Sequence, residues 1–137
     1  MPQRKHYNVV AAVIEVDGNV LCMQRGVTRY EYTSHLWEFP GGKVEEGETP
    51  QQALHRELME EMNLDVVVHE QLATVTHDYP DFTITLAAYR CTADTTDFIM
   101  REHAASQWLP WDELLTLPWC AADERLIKQF SENLSKL

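Results

Sequence analysis

Apolar and polar positions alternate along this chain with two different periods. Residues 7–16, Tyr-Asn-Val-Val-Ala-Ala-Val-Ile-Glu-Val, are dense in β-branched side chains and predict a buried strand. Asp17-Gly18 is a hairpin turn signal, so residues 20–24 read as the returning strand. Residues 26–35 show no clear period and read as a loop. Residues 36–39 predict a short aromatic strand, broken by Pro40-Gly41-Gly42, and 43–49 read as a charged loop. The period then lengthens. Leu54, Leu58 and Met62 recur every four residues and predict a helix from about Pro50 to Met62 with one apolar stripe. Thr49 can cap it, Pro50 suits its first turn, Gln52 completes a capping box, and Asn63 can close it in a left-handed conformation. Residues 65–75 and 82–91 predict two more strands around a turn at 77–81 that Pro80 interrupts. A polar loop over 93–103 follows, then a short strand at 106–109 and a short helix at 110–115. Leu126, Ile127, Phe130 and Leu134 predict a closing amphipathic helix over 122–134. Strands with interspersed helices predict an α/β (α+β) domain built on a mixed sheet.

Composition narrows the class. The 137 residues suit a single domain over 1–137, and 45% hydrophobic with 24% charged residues is the balance of a globular protein. Eleven basic residues against 22 acidic ones give a net charge of −11. Such a surface repels a nucleic-acid polymer or an anionic membrane as a standing partner. A small polyanion is still admissible if a divalent metal mediates its binding. Cys22, Cys91 and Cys120 are odd in number and far apart, with no CxxC pair. They read as core thiols of a cytoplasmic protein. The residues from Met1 to His6 lead into a short apolar run with no signal-peptide cleavage pattern, and no run approaches the roughly 18 residues of a membrane span. The expected assembly is a monomer or homodimer.

The candidate chemistry lies between residues 41 and 64. Six carboxylates fall between Glu45 and Glu61. Glu57, Glu60 and Glu61 are spaced i, i+3, i+4, so they project from one narrow face of the helix. Like charges at this spacing destabilise a helix by a few tenths of a kcal/mol per pair, roughly. A cation between them accounts for the cluster better than solvation alone. Carboxylate oxygens without His or Cys partners suit Mg²⁺, with Mn²⁺ as a substitute, rather than zinc.

The segment resembles the Nudix box over residues 42–64. Gly42 is followed by five residues, Glu48, seven residues, Arg56-Glu57, apolar Leu58, one residue, Glu60-Glu61, one residue, Asn63 and apolar Leu64. Asn63 stands where the family usually carries glycine, and asparagine tolerates the left-handed cap better than most residues. The likeness extends to Gln24-Arg25, to the stretch from Leu36 to Lys43, to Tyr79-Pro80-Asp81-Phe82, to Glu102-His103 with Trp108, and to Ala122-Asp123 after Leu117-Pro118. These resemble the MutT-like branch.

The resemblance implies a Nudix-type α/β/α sandwich and a Mg²⁺-dependent hydrolase that converts nucleoside triphosphates to monophosphate and pyrophosphate. Sanitising of 8-oxo-dGTP is the leading expectation, with CTP or 5-methyl-dCTP as the alternative and a non-catalytic nucleotide sensor as the rival of another class. By the same likeness Glu57, Glu60, Glu61, Glu102 and the Gly41 carbonyl would ligate metal. Glu57 or Glu60 would be the general base, and Glu48 with Arg56 an orienting ion pair. Arg25 and Lys43 are candidates for phosphate contact. Phe39, Tyr79, Phe82 and Asp123 are candidates for the base pocket, with Asp123 as the specificity residue. Trp108, Trp111 and Trp119 read as packing residues, and no histidine is assigned to catalysis.

Overall fold

Strand β1 (Lys5–Val16) shows why the chain makes three layers. Its side chains alternate: Val10, Ala12 and Ile14 are buried on one face, Ala11 and Val13 on the other. A strand buried on both faces needs a cover on each side. The computed structural model describes residues 4–28 and 30–135, with the backbone alone for 133–135. Met1, Pro2 and Gln3 of the N-terminal reading, and the Leu134 side chain, lie outside the described set.

After β1 come β2 (Asn19–Arg25), β3 (Trp37–Glu38), β4 (Gly41–Lys43), α1 (Pro50–Met62), β5 (Val67–Asp78), β6 (Phe82–Thr92), β7 (His103–Pro110) and α2 (Ala121–Ser135). The sheet order is β3-β2-β1-β6-β5, with β4 paired to β1 and β7 to β2. β1 and β6 run parallel from Lys5↔Phe82 to Glu15↔Thr92, and the other pairings are antiparallel. The sheet is therefore mixed. Leu54, Leu58 and Met62 of α1 cover one face, packed with Val10, Ile14, Leu21 and Met23. Leu126, Ile127 and Phe130 of α2 cover the other, packed with Val13, Val20 and Leu86. This is the expected sandwich.

Helix α1 has the expected bounds and ends. Thr49 Oγ1 accepts from the Gln52 amide at 3.1 Å, and Gln52 Oε1 accepts from the Thr49 amide at 2.9 Å. Asn63 takes φ 51° and ψ 39°, the left-handed cap. Several elements differ from the sequence reading. The strand breaks after Glu38 as expected, but Gly41–Lys43 then forms β4, because it finds Val9–Ala11 of β1 as a partner. β5 runs on to Asp78, past its expected end at 75. β7 starts at His103 rather than 106, since pairing with β2 enforces extension on small and polar residues. Trp111–Thr116 is a 3-10 helix. Trp108 packs edge-on to Phe98, Trp111 to Phe130, and Trp119 lies 4.7 Å from Phe39, so the tryptophans serve packing as expected. No described helix is long and apolar enough to cross a membrane.

Candidate active site

The apolar stripe of α1 fixes its opposite edge, where Arg56, Glu57, Glu60 and Glu61 emerge beside β4. Arg56 organises the start of this edge. Its Nε and Nη2 donate to the two oxygens of Glu48 at 2.7 and 2.9 Å, a bidentate pair. Nη1 donates to Glu57 at 2.9 Å and Nη2 to the Lys43 carbonyl at 3.0 Å. Glu48 also accepts from the Glu45 amide at 2.9 Å. The Arg56 hydrogen bonds, and then that amide, hold the Glu48 carboxyl down at about 2.

The two glycines of β4 allow close approach. A Cβ on Gly41 would stand 2.0 Å from the Val10 carbonyl oxygen, and one on Gly42 would stand 2.3 Å from the Glu57 carboxyl carbon. The Glu57 carboxylate therefore occupies the space a side chain at 42 would fill.

Glu61 contacts both Glu57 and Glu102 and is pushed up to about 9, first by burial and then by these two neighbours. The described residues hold no ready-made cage of three His, Cys, Asp or Glu side chains. The three carboxyls meet through Glu61 instead, and an oxygen-only donor set of this kind suits a hard divalent cation. Glu60 is turned differently. Its carboxylate is 61% exposed and lies 3.4 Å from Arg56 Nη1.

Glu61 and Glu102 line a cleft of about 500 Å³ together with Gly41, Gly42, Lys43, Phe39, Tyr79, Phe82 and Asp123. Asp123, in the first turn of α2, is buried and accepts from the Phe39 amide at 3.2 Å. Burial, and then the Glu38 charge, raise it well above the usual carboxylate range. Tyr79 accepts from the Ala122 amide at 3.0 Å through its hydroxyl, which ties the strand turn to α2. Tyr32 stacks on Tyr79 at 5.7 Å and donates to Asp81 at 2.8 Å, extending an aromatic wall from the 26–36 loop.

The structure brings Arg25, Phe39, Gly41, Lys43, Glu61, Tyr79, Phe82, Glu102 and Asp123 to this one cleft. Glu48, Arg56, Glu57 and Glu60 lie outside its lining. Arg25 is already paired through Nη1 with Glu38 at 2.8 Å, while its Nε is buried without a hydrogen-bond partner. Lys43 Nζ sits 4.1 Å from the Tyr7 ring centroid, a cation–π contact. Sequence reasoning missed Tyr7, Glu38 and His103 as cleft residues. The signal for Glu38 was a lone charge between Trp37 and Phe39; for Tyr7 and His103 no local signal exists, because only strand pairing brings them there.

A mixed sheet between two helices, with Glu61 of an acidic helix edge lining a cleft of this size, is the architecture of a hydrolase family. The chain belongs to the Nudix family: the NUDIX domain matches residues 4–130. Among its relatives is an 8-oxo-dGTP diphosphatase of Proteus vulgaris, 44% identical over 93 residues, which are 67% of this chain and 81% of that protein. Another is a CTP pyrophosphohydrolase of Escherichia coli, 37% identical over 126 residues, 92% of each chain. The solution structure of the E. coli ORF135 protein superposes with a TM-score of 0.82 at 35% identity, covering 97% of this chain and 94% of that one. The protein is a Nudix hydrolase of MutT-like type, in a family whose enzymes generally need a divalent metal.

Proposed function

We propose that the protein is a Mg²⁺-dependent pyrophosphohydrolase of nucleoside triphosphates that clears 8-oxo-dGTP from the nucleotide pool. The observation that carries this reading is that Glu61, in contact with Glu57 and Glu102, lines with Glu102 the same cleft as Phe39, Tyr79, Phe82 and the buried Asp123. The carboxylates suit a metal-bound polyphosphate. The aromatic residues suit a flat base, and Asp123 a hydrogen bond to its edge.

In this reading Glu57, Glu61 and Glu102, with the Gly41 carbonyl and Glu60 at the rim, hold the cation. When bound, the cation neutralises phosphate oxygens and supports the leaving pyrophosphate. Glu57 or Glu60 takes a proton from water. The water oxygen bonds to phosphorus, the bridging P–O bond breaks, and its electron pair leaves with pyrophosphate. Glu48 fixes Arg56, and Arg56 fixes Glu57, since a displacement of about 1 Å costs much of a catalytic group's value. Arg25 and Lys43 are the candidates for phosphate oxygens, and Phe39, Tyr79 and Phe82 for the base. Three buried free thiols agree with a reducing cytoplasm.

A second reading, hydrolysis of CTP or 5-methyl-dCTP, is favoured by the E. coli relative that matches almost the whole chain. Both are tested by one hydrolysis panel with Mg²⁺ over 8-oxo-dGTP, dGTP, CTP, dCTP and 5-methyl-dCTP, scoring pyrophosphate against phosphate. Pyrophosphate release preferring 8-oxo-dGTP over dGTP is expected. Preference for cytidine nucleotides would install the second reading, and nucleotide binding without turnover would replace both with a sensor.

A further inference from the structure

Glu102 reaches the carboxylate cluster from an exposed, polar segment between β6 and β7, and loops place functional groups less accurately than helices or strands. The residues on each side of it are fastened to elements of the site. Before it, the segment docks on the C-terminal end of α1, where the last carbonyls of a helix lack intrahelical partners. The Ile99 amide donates to the Met62 carbonyl at 3.0 Å, and the Arg101 guanidinium donates to the Glu60 carbonyl. A cation there is also favoured by the helix dipole. Phe98 anchors the same segment by packing on the α1-side core. After Glu102, the His103 imidazole is 7% exposed and pairs with Glu38 Oε2 at 2.9 Å. Glu38 gives its other oxygen to Arg25 of β2 at 2.8 Å.

We propose that Arg101 and His103 are positioning residues that bracket Glu102 and hold its carboxylate against Glu61, which in turn meets Glu57, so that the cation meets a preassembled set of oxygens. The inference rests on the reading of Glu102 as a ligand. The helix that carries Glu57 and Glu61 offers its own terminus as the dock for the segment that carries Glu102. The two halves of the site are thereby locked to each other, on one side through the end of α1 and on the other through the cleft residues His103 and Glu38.

The test is Mn²⁺ binding to the whole, nucleotide-free protein, read by electron paramagnetic resonance, beside thermal melting. Arg101→Met should weaken Mn²⁺ about 10-fold, the low end for removal of a group supporting a metal ligand. Arg101→Lys, which can still donate to the Glu60 carbonyl, should recover most of it. His103→Leu should weaken binding likewise, and His103→Gln less. In a Glu102→Gln background none of these changes should weaken Mn²⁺ further, an outcome that a general loss of structure would not give. Unchanged Mn²⁺ affinity in both Arg101→Met and His103→Leu, or an equal loss with and without Glu102, overturns the bracket. Tight Mn²⁺ binding that shows this pattern, in a protein that hydrolyses no nucleotide, would support the bracket while overturning the proposed reaction.

Discussion

A single methyl group separates the roles of the two glycines in β4. A Cβ at Gly42 meets the carboxylate of Glu57, the mobile end of a side chain, whereas a Cβ at Gly41 meets the Val10 backbone at 2.0 Å. Gly42→Ala is therefore expected to cut turnover by orders of magnitude with little change in melting temperature. Gly41→Ala should lower the melting temperature as well, and parallel activity assays and melts distinguish the two. Glu48 gives a prediction in pH. Its folded value of about 2 lies below the ordinary 4.5, so its pairing with Arg56 stabilises the protein fully above the ordinary value and is lost as pH falls through the folded one. Glu48→Gln should destabilise near neutral pH, and the gap from the native protein should close between about pH 4.5 and 2 in melts across that range. The box glutamates and Arg56 were legible in the sequence because all stand on one helix and one loop. The Arg25–Glu38–His103 chain was not legible, since its members are separated in sequence and meet only through β2 pairing with both β3 and β7.

Among the elements, α1 was the most legible, and the reason is local: its stripe, its capping box and its left-handed end are all written within residues 49–64. Those ends can be tested directly. Thr49→Ala removes the capping hydrogen bond and should cost about 1 kcal/mol. Asn63→Ala should cost a similar amount, roughly 1 kcal/mol, because a Cβ-bearing residue without a short polar side chain resists φ near 51°. Asn63→Gly should be neutral or stabilising. Denaturant melts of the three variants check the order. The strands were read less well at their ends. β4 and the first residues of β7 carry little intrinsic strand preference, and their extension comes from partners elsewhere in the chain.

At the scale of the whole molecule, the −11 charge acts against the proposed substrate, itself a polyanion. Raising the salt from about 0.01 to 0.1 M shortens the screening length from about 30 to 10 Å. At fixed free Mg²⁺, kcat/KM should therefore rise over this range before any loss at higher salt. A fall from the outset would show that the cleft presents net positive potential. The apolar run of β1 was legible as a buried strand, while the three-layer architecture came from the resemblance carried by residues 42–64. The parallel partnership of that strand was not legible, because nothing near residue 9 specifies residue 86. That pairing has a consequence for how the protein is made. Lys5–Glu15 leaves the ribosome early, yet its partner Phe82–Thr92 follows more than seventy residues later. Throughout that interval the most apolar strand of the chain travels with half its backbone unpaired, in the state where nascent chains are most open to association. During synthesis the sheet closes on its first strand late, and chaperone capture of nascent chains should peak before residue 92 is exposed.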